Sequence, residues 1–386
     1  LNNMNRQITI IRGLNFMYYA FHSVLTPLLP LYLAKKGYSS AEIGFFLMAG
    51  PFAAMFVQPV WGYLSDRFRS LKAIIYLLYG LTFLSSIGLF LANGYIPIFL
   101  FTALLFFFYG PASPLLDSLS VKTAAESGSP YGTIRLFGSL GFFAFAIISA
   151  SLLPLVGGVD NFRYIYWGMW VIPFVLLLFL RDKAGEGPAL TMASMKSLAA
   201  NREFLWFLFM IFIISTPHRM HDALFGYYHQ TMGASPGMVS FGWALVGICE
   251  VPVFIWLNRY LNRFHELAML GVISLLYVLR WSLYIVVKDP TALMYLQLTH
   301  AFTYAPFLLV AIQYVVRLVP EHLRSTGMSL YASVFTGLAG LAGGVIGGWF
   351  EERWAGPGMY GFAAAMSLLA AILFLGTRFY TRSREA

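Results

Sequence analysis

Charge is what this sequence has least of. Of its 386 residues only 11% are Asp, Glu, Lys or Arg, against about 25% in an ordinary soluble domain. At 59% hydrophobic residues, too little polar surface remains to face water. A water-soluble globular chain is therefore excluded, and lipid is the expected surrounding. Cysteine is nearly absent as well. Cys249 is the only one and falls inside an apolar run, which excludes disulfides and thiolate metal centres as organising features. No glycine-rich phosphate loop of the Walker type occurs, so nothing supports nucleotide-driven pumping. The net charge of +9 comes without a basic domain or a Lys/Arg stripe, which argues against a nucleic-acid partner.

What is present is a series of long apolar runs. A bilayer core takes roughly 20 apolar residues per helix. Read on that scale, the sequence predicts spans near 9–34, 41–64, 72–92, 96–122, 132–155, 162–180, 204–229, 237–257, 267–287, 291–316, 325–350 and 358–377. The first is expected to be a retained helix, since no small-residue cleavage site follows it. Of the 25 Lys and Arg residues, seventeen fall on one side of this arrangement and five on the other, with Arg135, Arg219 and Arg280 inside spans. Such a bias predicts an even number of spans and both termini in the cytoplasm. The expected fold class is therefore an all-α membrane protein of 12 transmembrane helices.

The longest polar gap divides the chain into a six-helix bundle over 1–183, a cytoplasmic linker over 184–202 and a second six-helix bundle over 203–386. The halves echo each other. Gly62-Tyr63-Leu64-Ser65-Asp66-Arg67-Phe68 follows span two, and Asn258-Arg259-Tyr260-Leu261-Asn262-Arg263-Phe264 follows span eight. Arg135-Leu136-Phe137-Gly138 opens span five, and Arg324-Ser325-Thr326-Gly327 opens span eleven. Six-plus-six pseudo-symmetry is the layout of carriers built from repeats.

Ionisable residues at mid-bilayer are costly, about 2.5–3.5 kcal/mol each, and so mark function by default. Three acids lie inside spans, Asp117, Asp222 and Glu250, matching the three arginines in number. Asp117 and Arg135 sit at similar heights on consecutive spans, either as a substrate-binding pair or as a structural salt bridge. In span seven, His218-Arg219-Met220-His221-Asp222 places His218 and Asp222 one turn apart on a shared face. This is either a proton-accepting couple or a satisfied structural network. Glu250 is expected to form a buried ion pair with Arg280 and to be the protonatable acid, with His300 connecting the two or packing nearby. Tyr18, Tyr19, His22 and Asn15 on span one and Tyr109 on span four are candidate cavity-lining residues. Gly340, Gly344 and Gly348, with Gly343 and Gly347 beside them, read as a helix-packing stripe. No metal site and no cofactor is expected, and protons are the expected coupling ion.

The segment from Gly62 to Lys72 resembles the signature of the major facilitator superfamily, Gly-x-x-x-Asp-Arg followed by basic residues. That resemblance implies a cytoplasmic gate at Asp66 and Arg67, in which the acid meets a neighbouring helix dipole. The stretch from Tyr131 to Phe142, with Asp117, Arg135, Glu250, Arg280 and His300, is similar to the lactose permease and phenylpropionate permease branch of proton symporters. Where that branch carries Lys, His and Glu at three-residue intervals on helix ten, this chain reads Gln297, His300 and Thr303. The resemblance implies a proton-coupled importer of a small polar organic solute: an aromatic acid, a sugar or a nucleoside. It also implies alternating access in the cell membrane, and function as a monomer is expected because one chain supplies both halves of the pathway. The alternative is a proton-antiport exporter of drugs or metabolites. Exporters of the superfamily carry a Gly-Pro-rich helix five, whereas this one reads Gly138-Ser139-Leu140-Gly141, which favours import. An enzyme is not expected, because the His and acid residues gather at mid-depth rather than near an interface.

Overall fold

The computed structural model describes residues 2–38, 40–181, 196, 198, 200–257, 259–260 and 263–385. Among them the helical segments follow the expected spans as twelve consecutive rods. In the first half these are α1 (Asn2–Lys35), α2 (Ser40–Leu47, Ala49–Phe56 and Gln58–Phe68), α3 (Leu71–Leu91), α4 (Tyr95–Tyr109 and Ala112–Ser127), α5 (Gly132–Leu152) and α6 (Phe162–Met169 and Val171–Phe179). The second half holds α7 (Arg202–Thr231), α8 (Pro236–Leu257), α9 (Glu266–Val286) and α10 (Pro290–Leu296, Gln297–Phe302 and Tyr304–Leu318). It ends with α11 (Arg324–Ala332, Ser333–Leu338 and onward to residue 354) and α12 (356–385). The last two are parted by Ala355, whose φ of 54° and ψ of −167° no helix accommodates. Most of the expected linker lies outside the described residues.

Local chemistry sets the rod ends. Ser70 caps α3 by accepting from the Ala73 amide, and Asn201 caps α7 by accepting from the Phe204 amide. Each satisfies one of the donors a helix start leaves unpaired. The rods carry apolar residues on both faces. Phe21, Tyr79, Tyr166 and Trp170 are buried together in the first half, while Ile96, Leu178, Val286 and Val345 point outward and exposed. An outer surface of this kind suits hydrocarbon rather than water.

The described residues form two compact units, Leu1–Leu190 with Glu321–Ala332, and Thr191–Pro320 with Ser333–Ala386. The first turns of α11 thus belong with the first unit. The division falls where α11 passes from α-helix to a π-helical stretch, Ser333–Leu338.

Glycine lets pairs of rods touch backbone to backbone. In the first unit a side chain at Gly141 would run into the Phe16 carbonyl of α1. In the second, a Cβ at Gly343 would lie 2.8 Å from both the Thr216 oxygen and the Met220 nitrogen of α7. Gly347 faces the Met220 and Leu224 side chains, whereas Gly344 and Gly348 meet nothing within 4 Å. The packing stripe of α11 is therefore the Gly343–Gly347 face, one residue round from the expected Gly340–Gly344–Gly348 line.

Candidate functional site

The second unit holds a set of buried polar groups that meet on Arg280, and the shape of α10 explains it. Gln297–Phe302 is a 3-10 helix. With three residues per turn, side chains three apart eclipse one another. Gln297, His300 and Thr303 therefore form one column. All three turn toward Arg280 of α9 and are buried.

Arg280 divides its guanidinium along this column. Nη1 donates to His300 Nδ1 (3.2 Å) and to Thr303 Oγ1 (3.0 Å), and Nη2 donates to Gln297 Oε1 (3.0 Å). Arginine can only donate. His300 Nδ1 is thus the acceptor, which assigns the ring proton to Nε2. That atom lies 3.2 Å from Glu250 Oε1 on α8. The expected Glu250–Arg280 ion pair is instead a relay in which the imidazole stands between the two charges.

Behind the relay, the Gln297 carboxamide oxygen accepts from Arg280 Nη2 and from the Tyr284 hydroxyl (3.0 Å). His221 Nε2 lies 3.1 Å from the same oxygen and 3.4 Å from Arg280 Nη2, and its Nδ1 is 3.0 Å from the Tyr360 hydroxyl. On α7, Asp222 receives Arg219 Nη1 at 3.0 Å and lies 3.5 Å from His218 Nε2. His218 Nδ1 is 3.3 Å from the Tyr277 hydroxyl, and its ring stacks on Tyr304 at 4.8 Å. Arg219 also donates to the Phe335 carbonyl, 3.3 Å away in the π-helical stretch of α11. The helix runs unbroken through Pro217. Asp222 is consequently neutralised by its own arginine, while Glu250 reaches Arg280 through a histidine.

The first unit carries a separate cluster. Arg135 Nε is 4.0 Å from Asp117 Oδ1, at the outer limit of an ion pair. The Tyr131 hydroxyl donates to the same oxygen at 2.7 Å, and the Arg135 guanidinium lies 4.1 Å over the Tyr19 ring. Tyr109 stacks on Tyr18 at 4.6 Å and donates to its carbonyl at 2.7 Å. His22 is exposed, parallel to Tyr109 at 6.5 Å. Asn15 bonds Ser120 Oγ at 3.0 Å and ties α1 to α4.

Asp66 finds its partner in the same unit. Its carboxylate accepts from the Thr326 amide (2.7 Å), the Thr326 hydroxyl (2.7 Å) and the Ser325 amide (3.3 Å). It thereby caps the N-terminus of α11, where a helix offers unpaired N–H groups and partial positive charge. The approach is close: a Cβ at Gly62 would lie 2.7 Å from the Ser325 carbonyl. Arg67 lies away from this contact, donating to the Tyr63 hydroxyl at 2.8 Å.

Sequence reasoning set His221, Tyr131, Tyr284 and Tyr360 aside. His221 was visible within the span-seven cluster, and Tyr131 within the Tyr131–Phe142 motif. The two tyrosines carry no sequence signal, because their role comes from partners on other rods.

Paired rods with charged residues buried at mid-length define a polytopic membrane carrier. The chain belongs to the MFS_1-like family, whose profile matches residues 8–358. It is 28% identical over 370 residues to a maltose permease of Geobacillus stearothermophilus, covering 93% of this chain and 91% of that one. It is 23% identical over 366 residues to a probable 3-phenylpropionic acid transporter of Escherichia coli (strain K12), covering 93% and 94%. Among solved structures, the E. coli fucose:proton symporter superposes with a TM-score of 0.76 at 14% identity, covering 96% and 98%. The nucleoside transporter NupG does so with a TM-score of 0.71 at 16%, covering 96% and 99%. The protein is accordingly a multi-pass membrane transporter of the twelve-helix major facilitator fold, acting on small molecules, and is not an enzyme.

Proposed function

We propose that the protein is a proton-coupled symporter that imports a small polar organic solute by alternating access, with Glu250 carrying the proton. The observation that supports this reading most is the relay Glu250–His300–Arg280. With Glu250 ionised, His300 Nε2–H donates to a full negative charge. With Glu250 protonated, that bond becomes neutral and weaker, and Arg280 is left without a counter-charge. One proton thus changes both the charge and the bonding of a buried column. A mid-membrane acid in such surroundings is the usual form of a proton relay.

In the first unit, Asp117, Arg135, Tyr18, Tyr109 and His22 are assigned to solute binding. The support is a buried guanidinium set 4.0 Å from a carboxylate and over the Tyr19 ring, a pairing of the kind that recognises hydroxyl or carboxyl groups. Asp222, His218 and Arg219 are assigned to holding α7 against α11 and to tuning the relay. Asp66 is assigned to a gate that releases the N-terminus of α11 at one stage of the cycle, with Arg67 beside it. The Lys/Arg distribution supports cytoplasmic termini. Relatives named for maltose, nucleosides and 3-phenylpropionic acid support a sugar, nucleoside or aromatic acid as the solute class.

The test uses purified protein in liposomes loaded with a pH-sensitive dye, challenged with maltose, uridine and 3-phenylpropionate in turn. Internal acidification with one class is expected. Uptake of a solute with no accompanying acidification contradicts proton symport.

A further inference from the structure

Gln297 Oε1 accepts from Arg280 Nη2 and from the Tyr284 hydroxyl, and His221 Nε2 stands 3.1 Å from the same oxygen and 3.4 Å from Arg280 Nη2. A carboxamide oxygen has two lone pairs, so these two donors fill it. The capacity left unfilled nearby is donor capacity. Gln297 Nε2 and Arg280 Nε are both buried with no hydrogen-bond partner among the described residues. A buried cluster rich in N–H and O–H groups and short of acceptors is matched by an acceptor-only ligand, and a carboxylate is the commonest one.

The charges agree. Glu250 is faced by His300 of α10, with Arg280 of α9 behind that ring and Cys249 beside it on α8. His218 of α7 is in ring contact with His300 at 5.4 Å, and Asp222 beyond it is held by Arg219. Leaving aside the self-compensated Asp222–Arg219 pair, Glu250 and Arg280 cancel. A proton on Glu250 leaves the column one positive charge in excess, which a single organic anion restores to neutrality.

Resting on the proton-symport reading, we propose that Arg280, Gln297 and Tyr284 form the subsite for the carboxylate of a monocarboxylate solute, which enters after Glu250 is protonated. The carboxylate takes over the bonds that Arg280 Nη2 and Tyr284 now give to Gln297 Oε1. The Gln297 amide turns to offer its free Nε2–H. Gln297 is then an internal stand-in for the solute and a specificity-determining residue. It favours an anion over a neutral analogue of the same shape.

The experiment is calorimetric binding to the full-length protein in detergent, in acidic and in alkaline buffer. The probes are 3-phenylpropionate, its primary amide and maltose. The acid is expected to bind at least about tenfold more tightly than its amide, and more tightly in acidic buffer. Gln297→Glu places a carboxylate in the subsite and is expected to abolish binding of the acid. Tyr284→Phe, which keeps the ring, is expected to weaken it about tenfold. Equal binding of acid and amide, or binding of maltose alone, overturns the carboxylate subsite and leaves proton symport standing. Binding of the acid in preference to its amide, but indifferent to pH, removes the proton-first order and counts against the symport reading while the subsite survives.

Discussion

His300 holds Glu250 and Arg280 apart, with Nε2 3.2 Å from the carboxylate and Nδ1 3.2 Å from the guanidinium. An arginine and a glutamate buried in direct contact would fix each other's charge. With an imidazole between them, each keeps a partner without touching the other. Replacing His300 with Asn shortens the bridge and brings the two charges together. Concentrative uptake is expected to fall at least about tenfold, while solute exchange at equal pH persists. Parallel measurement of both modes checks this. Equal loss of the two contradicts a role specific to coupling.

Tyr131 is the nearer partner of Asp117, at 2.7 Å against 4.0 Å for Arg135. Tyr131→Phe removes a hydrogen bond to a charged group, worth about 1.5–3 kcal/mol, and lets the acid close on the arginine. The expected result is a KM raised about tenfold with little change in kcat, read from initial uptake rates.

Asp66 caps α11 through the Ser325 and Thr326 amides. Asp66→Ala is expected to cost about 1 kcal/mol of stability, the usual penalty for a lost cap, and Asp66→Asn much less. Thermal unfolding in detergent gives the comparison. Gly62→Val, which meets the Ser325 carbonyl, is expected to be worse than either.

Along α11 the structure separates two glycine faces. Gly343→Val drives a side chain into the α7 backbone and is expected to cost about 1–3 kcal/mol. Gly344→Ala and Gly348→Ala, with open space around them, are expected to be neutral. A lower Tm for the second pair than for the first variant contradicts the packing described here.

Much of the architecture was legible in the sequence, because span length is a direct imprint of the bilayer. The expected 72–92 and 267–287 spans lie within one residue of Leu71–Leu91 and Glu266–Val286. Helix-scale periodicity carries no information on where a rod changes its winding. The 3-10 stretch of α10 and the π stretch of α11 were therefore invisible, and with them the column that sets His300 between two charges. The three-residue spacing of Gln297, His300 and Thr303 was seen, but its meaning depends on three residues per turn. Asp66 was singled out from its motif. Its partners lie 259 and 260 residues away, a separation that no local pattern records.

In the proposed cycle Glu250 carries the coupling proton. The most direct measurement compares the protein with its Glu250→Gln variant in liposomes, following the solute that acidifies the lumen. Two modes are read: uptake driven by an inward proton gradient, and exchange with no gradient. The variant is expected to lose gradient-driven accumulation and to keep exchange within about threefold of the parent. Accumulation that survives in the variant, with proton entry unchanged, would contradict that assignment and return Glu250 to a structural role.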